Sequence, residues 1–355
     1  MPSRDHPDIT QISRLTPVFL LIAFAGFSLA CMAATRIVSP AAPTPTPAAT
    51  LTPAPSSTPA ACADGNCILA CVDKLGAIVH PQNKKTPRQA FANSQEYTLV
   101  TYHIDGNQID NPVLGQGLPA SIKRYQADRS TQTEIWDYFS AIIPLDRRTF
   151  LAHYVIFTDG PDNDLAAVVQ SDSSPQEWDL SVDILDTSDP RDLTYTLIHE
   201  FGHLLTLNPD QVIPSQAIFD NPQNDSVYQK EEQACPNYFP GEGCSRKNSY
   251  INHFVGRFWG KIYDEWLAID NIENDDVYYN RLDAFYKKYK QQFVTDYAPT
   301  SPEEDIAESW TYFILKPKPT GNSIADQKVL FFYEFPELID LRGQIARNLC
   351  NQLEK

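Results

Sequence analysis

Between residues 189 and 208 the apolar positions Leu193, Leu197, Ile198, Phe201, Leu204 and Leu205 recur at helical spacing. They wrap a broad face, so the pattern predicts a helix packed deep in a core. Its ends are also legible. Ser188-Asp189-Pro190 offers a cap followed by proline at the first helical position, Asp192 suits the first turn, and Asn208-Pro209 stops the helix.

Upstream, alternating apolar and polar positions rich in β-formers predict strands at 96–104, 150–157, 165–170 and 178–185. In the last, Leu180, Val182 and Ile184 alternate with Asp179, Ser181 and Asp183, giving one buried and one wet face. Residues 120–127 and 131–143 read as helices, and Asp159 to Asp164 as a polar turn rather than a calcium loop. Residues 68–79 are apolar enough for a short helix or strand. Downstream, 209–250 is polar and turn-rich, a length that is usually functional or internally structured. Aromatic stripes at helical spacing then predict core-facing helices at 254–267 and 277–289, and 325–354 gives one or two more. A mixed β layer followed by a helical half is an α+β architecture.

The predicted buried helix carries His199-Glu200-Phe201-Gly202-His203. Histidines four apart share a face, so both imidazoles can reach one metal ion. The glutamate beside them can take a proton from water that the metal activates. A catalytic zinc needs a third protein ligand. Gly and His at 206 and 209 would make the chain a metzincin; Thr206 and Pro209 exclude it. The best candidate is Pro302-Glu303-Glu304-Asp305-Ile306-Ala307-Glu308, a helix start in which Glu304 and Glu308 share a face. One can bind metal while the other orients a ligand histidine. Glu303 and Asp305 are the alternatives if the register slips, and His253 is another possible ligand or oxyanion donor. His103 and His153 sit in strands as ordinary sheet residues.

The His-Glu-Phe-Gly-His stretch with a downstream Glu-x-x-Ala-Glu resembles the gluzincin metallopeptidases, most of all the catalytic domain of anthrax lethal factor. The resemblance implies a zincin-like fold: a mixed sheet on the motif helix, then a mainly helical half. It implies one catalytic Zn2+ held by His199, His203 and Glu304, with Glu308 bracing a histidine and Glu200 as general base. It also implies Tyr297, seven residues before Glu304, as the hydrogen-bond donor to the transition state. The expected activity is zinc-dependent hydrolysis of a peptide or protein substrate. The expectation from another class is a non-catalytic zincin-like binding or adaptor module at the cell surface, in which a base such as Glu200 would have no purpose.

Of 355 residues, 45 are acidic and 28 basic, a net charge of -17. That argues against nucleic acid as a partner and against electrostatic docking on anionic lipid, leaving the membrane as a partner only through an N-terminal lipid or anchor. It is compatible with a basic substrate, although solubility alone accounts for it. Nothing in the chain calls for an oligomer, and a monomer is expected.

Residues 1–34 read as a leader: Arg4 and Arg14 precede an uncharged apolar run ending in Leu29-Ala30-Cys31, as in a lipoprotein signal with Cys31 lipidated. Left uncut, the run is long enough to anchor in a bilayer. Residues 35–61, nearly all Pro, Ala, Thr and Ser, form an extended tether, and 62–355 the folded domain. Both readings of the leader place the domain outside the cytoplasm. There, Cys62, Cys67, Cys71, Cys235, Cys244 and Cys350 suit three disulfides. Cys235 and Cys244 bracket a loop short enough to close on itself; pairing among the other four stays open.

Overall fold

The computed structural model describes residues 72–81, 96–160 and 164–353, all within one compact unit. The expectations for the leader with Cys31, for the tether, and for Cys62, Cys67 and Cys71 lie outside the described residues. The chain is mixed α+β, with a five-stranded sheet first and a helical half after it. Among the described residues no helix is long and apolar enough to cross a membrane.

The sheet comprises β1 (Tyr97–Asp105), β2 (Gln108–Leu114), β3 (Leu151–Thr158), β4 (Ala166–Gln170) and β5 (Trp178–Asp183), in the order β2-β1-β3-β5-β4. Only β3 and β5 are parallel; β4 turns back antiparallel to β5 and ends the sheet. Leu180 and Val182 of β5 are fully buried while Asp179 and Ser181 are half-buried, as their alternation predicts. Asp183, expected on the wet face, is instead fully buried where its carboxylate accepts from the amides of Asp159 and Leu185. No pattern in the sequence marks β2. Its residues are almost all exposed, so burial left no alternating pattern to read, and Gly106 at φ 63° makes the turn that brings it back onto β1.

The motif helix, Pro190–Leu207, begins where predicted: Asp189 Oδ1 accepts from Arg191 N at 2.8 Å, and Pro190 follows. At the other end Asn208 Nδ2 donates to the carbonyls of Leu204 and Leu205 at 2.8 and 3.2 Å, closing the last turn. The long 209–250 connection is internally structured. It holds a small β6–β7 ribbon (Val212–Pro214 with Gly243–Ser245) and helices Gln216–Phe219 and Asp225–Ala234. Cys235 and Cys244 are disulfide-bonded across it, and Cys350 is disulfide-bonded as well.

The stretch read as one helix over 254–267 is two, Tyr250–Phe258 and Tyr263–Asp270. Trp259, fully buried at the break, donates Nε1 to Asp305 Oδ2 at 2.8 Å, and Gly260 follows it. Asp305 also meets Lys328 Nζ at 2.5 Å, and both side chains are fully buried. That pair ties the helix Pro302–Leu315 to the helix Ile324–Phe331. Removing one partner of such a buried pair leaves a stranded charge, so Asp305 has a structural task.

Candidate metal centre

Two helices build the centre. The glutamate helix, Pro302–Leu315, starts on Ser301, whose Oγ accepts from Glu304 N at 3.1 Å, with Pro302 in its first turn. Glu303, Glu304 and Asp305 lie in that first turn, where the helix dipole favours negative charge. The two helices can come close because Gly202 faces the crossing. A Cβ there would sit 3.0 Å from Trp310 Cδ1 and 3.2 Å from the Ala307 backbone. Gly202→Ala gains about 1 kcal/mol of helix propensity but overpacks the crossing by about 1–3 kcal/mol. The expected result is a small loss of thermal stability and a larger loss of zinc affinity, checked by melting and competitive zinc titration.

Across this contact His199 Nε2 lies 2.9 Å from Glu304 Oε2 and 3.1 Å from His203 Nε2, and His203 Nε2 lies 3.4 Å from Glu304 Oε2. Tetrahedral zinc with bonds of about 2.0–2.1 Å spaces its ligand atoms by roughly 3.3–3.4 Å. The three atoms therefore form a slightly compressed face of that tetrahedron. Glu200 also belongs to the group, with ligand atoms of His199, Glu200 and His203 all within 4.8 Å of one another. Glu200 Oε2 accepts from Val168 N of the edge strand β4 at 2.9 Å.

Behind the ligands, Glu308 is fully buried and accepts three hydrogen bonds. They come from His199 Nδ1 at 2.8 Å, Tyr195 at 2.9 Å and Thr295 at 2.5 Å. A proton on His199 Nδ1 leaves the Nε2 lone pair facing Glu304 and His203, the tautomer that a metal ligand needs. Tyr195 sits one helical turn before His199, the same spacing that pairs the two histidines, so it was findable. Thr295 and the Val168 amide have no such sequence mark.

Burial opposes charge on both imidazoles. The hydrogen bonds of His199 to Glu304 and Glu308 overcome this and raise its pKa well above the ordinary 6.5, and Glu304 raises that of His203. Burial likewise favours neutral carboxyls, yet the imidazoles hold Glu304 and Glu308 below the usual range. Glu200 is raised, by burial first and then by Glu304, against the pull of the two histidines and the Val168 amide. Asp164, just before β4, is pushed to about 7 by burial, Asp159, Glu200 and Glu304. The donor set thus has excess negative charge around two basic nitrogens, which fits a divalent cation.

These shifts fix a pH dependence. Raised histidine values stabilise the fold fully below pH 6.5, and this is lost as pH rises through the folded values. Depressed glutamates stabilise it fully above 4.5, and this is lost as pH falls through theirs. Without zinc, stability from this cluster should peak between those limits. A zinc ion bound by these residues would have to displace the imidazole protons, so uptake near pH 7 should release about one to two of them. Calorimetric titration in buffers of different ionisation enthalpy measures the number, and no buffer dependence would contradict the raised values.

Tyr297 is half-buried, its ring 6.0 Å from that of His199 and 5.2 Å from that of His80. Burial, then Glu304, Asp164, Glu200 and Glu308, lift its hydroxyl well above the usual range and keep it a donor. His80, whose ring also meets Tyr195 at 5.4 Å, had no mark in the sequence; it precedes the motif helix by more than a hundred residues. The remaining candidates lie apart. His253 is exposed on Tyr250–Phe258, His103 bonds Asp110 at 3.1 Å, and His153 bonds Asp179 at 2.9 Å. Glu303 turns from the ligands to accept from the Tyr238 hydroxyl at 2.5 Å. Asp159, Asp183 and Asp186 also gather within 4.8 Å, but Asp183 is occupied by the amides of Asp159 and Leu185 at 2.9 and 2.7 Å. Burial lifts Asp183 to about 8.

Comparisons with protein-family models, curated proteins and solved structures find no match to this chain.

Proposed function

We propose that the chain is a zincin-like metallopeptidase that hydrolyses peptide bonds in an extracytoplasmic setting. The observation that carries this reading is the convergence of His199 Nε2, His203 Nε2 and Glu304 Oε2 with the Glu200 carboxylate beside them. A purely structural zinc would have no use for that carboxylate, nor for a coordination position left to water.

The ligand residues would be His199, His203 and Glu304, with Glu308 holding the His199 tautomer. Zinc, when bound, supplies Lewis acidity toward the scissile carbonyl and toward water. Glu200 then accepts the proton of the attacking water and delivers it to the leaving amine. Its raised pKa suits both halves of that exchange better than an ordinary carboxylate would. Tyr297, kept neutral, donates to the developing oxyanion. The edge strand β4 offers main-chain groups to an extended peptide, and Val168 N already points to Glu200.

Peptide-library cleavage followed by mass spectrometry tests the reading. Cuts that vanish with a chelator and return with zinc are expected. A library left intact by the zinc-loaded chain contradicts it and favours an adaptor module.

A further inference from the structure

The segment 72–81 reaches the centre from far away in the sequence. It begins with the helix Val72–Gly76, and Leu75 and Ile78 are buried in the core. Lys316, the residue that ends the glutamate helix, donates Nζ to Gly76 O and to Ile78 O, both at 2.6 Å. Just beyond that clamp, the ring of His80 meets the Tyr195 ring at 5.4 Å, nearly at right angles. It meets the Tyr297 ring at 5.2 Å, tilted by 35°. Tyr195 is itself fixed, since its hydroxyl donates to the fully buried Glu308 at 2.9 Å.

Tyr297 is held differently at its two ends. Its carbonyl accepts from Thr300 N at 3.0 Å and Thr300 Oγ1 at 2.5 Å, and Ala298 N donates to Thr295 Oγ1 at 3.2 Å. The backbone is therefore pinned. The hydroxyl, by contrast, makes no hydrogen bond among the described residues. The rings in contact with it there are those of His199 and His80. Ring packing thus sets the direction of the phenol, and of those two rings only that of His80 is not a proposed zinc ligand. His80 makes no side-chain hydrogen bond among the described residues, and its Nδ1 is closed to solvent. A buried nitrogen without a partner costs free energy, so the ring is not there to serve a polar network. What it supplies is a flat face for an aromatic neighbour.

From this geometry we infer that His80 is a positioning residue. The segment 72–81, clamped by Lys316, sets the imidazole against Tyr297 and aims the unbonded hydroxyl at the centre. The inference rests on the peptidase reading for what that hydroxyl does, and on the ring contacts alone for how it is held.

Two measurements on the full chain test it, and the first needs no turnover. With 3-fluorotyrosine incorporated at position 297 alone, the ¹⁹F line should move in His80→Ala and return toward the wild-type position in His80→Phe, which keeps a ring in place. A line unmoved by His80→Ala overturns the positioning. Should His80→Ala fail to fold, Lys316→Met, which releases the clamp, must still move the line. The second measurement is kinetic. His80→Ala should lower kcat about 10–100-fold at nearly unchanged KM and unchanged zinc content, because the phenol acts on the transition state. His80→Phe should recover most of that loss. In a Tyr297→Phe background, His80→Ala should cost less than about twofold more. A full additional loss there overturns the positioning, since it would mean that His80 acts elsewhere. A chain that cleaves no peptide while His80→Ala moves the ¹⁹F line sustains the positioning and removes the peptidase reading. Zinc-dependent cleavage with an unmoved line does the reverse.

Discussion

Glu304→Ala abolishes stoichiometric zinc binding at neutral pH. The carboxylate is one of three converging ligand atoms, 2.9 and 3.4 Å from the two imidazole nitrogens, and no neighbour can replace it. Glu303 is turned toward Tyr238, Asp305 is buried against Lys328 and Trp259, and Glu308 is engaged by three donors behind His199. The loss should therefore exceed the 10–100-fold typical of removing an outer-shell partner. Glu308→Gln is the calibrating variant: it keeps all three ligands, should stay inside that 10–100-fold range, and loses the charge that favours a proton on His199 Nδ1. Competitive titration against a fluorescent zinc chelator measures both. Zinc affinity of Glu304→Ala within tenfold of wild type would remove Glu304 from the ligand set.

Glu200→Gln should do the opposite, leaving zinc bound while turnover falls by about 10²–10⁴-fold, the usual worth of a positioned acid–base group. The substitution is nearly isosteric, and the amide oxygen can still accept from Val168 N, so β4 keeps its place over the motif helix. What is lost is a group able to take and return a proton. Metal content by mass spectrometry, measured beside the steady-state rate, separates the two effects. A variant that loses its zinc would make Glu200 a ligand rather than a base.

Most of this centre was legible because helices write their faces into sequence. Residues 199 and 203 share a face by spacing alone, as do 304 and 308, and the cap at Asp189 and the proline at 302 mark where each helix starts. The sequence could not reveal what long-range packing decides. The closeness of the two helices depends on Gly202 meeting Trp310, more than a hundred residues away. Thr295 and His80 reach the site from irregular segments, where no period marks a residue as inward-facing. The exposed β2 strand was missed for the converse reason, since a strand with no buried face has no alternation. The break between 258 and 263 was hidden because Trp259 and Ile262, both within it, are buried, so the apolar stripe runs on unbroken.

The most direct measurement is peptide cleavage by the zinc-loaded chain in ¹⁸O-labelled water, wild type beside Glu200→Gln, read by mass spectrometry. The predicted result is wild-type cuts carrying one label in each new carboxyl group, with the cuts all but absent from the variant. Zinc bound in both with no cleavage by either, or equal cleavage by both, would contradict a peptidase built on Glu200.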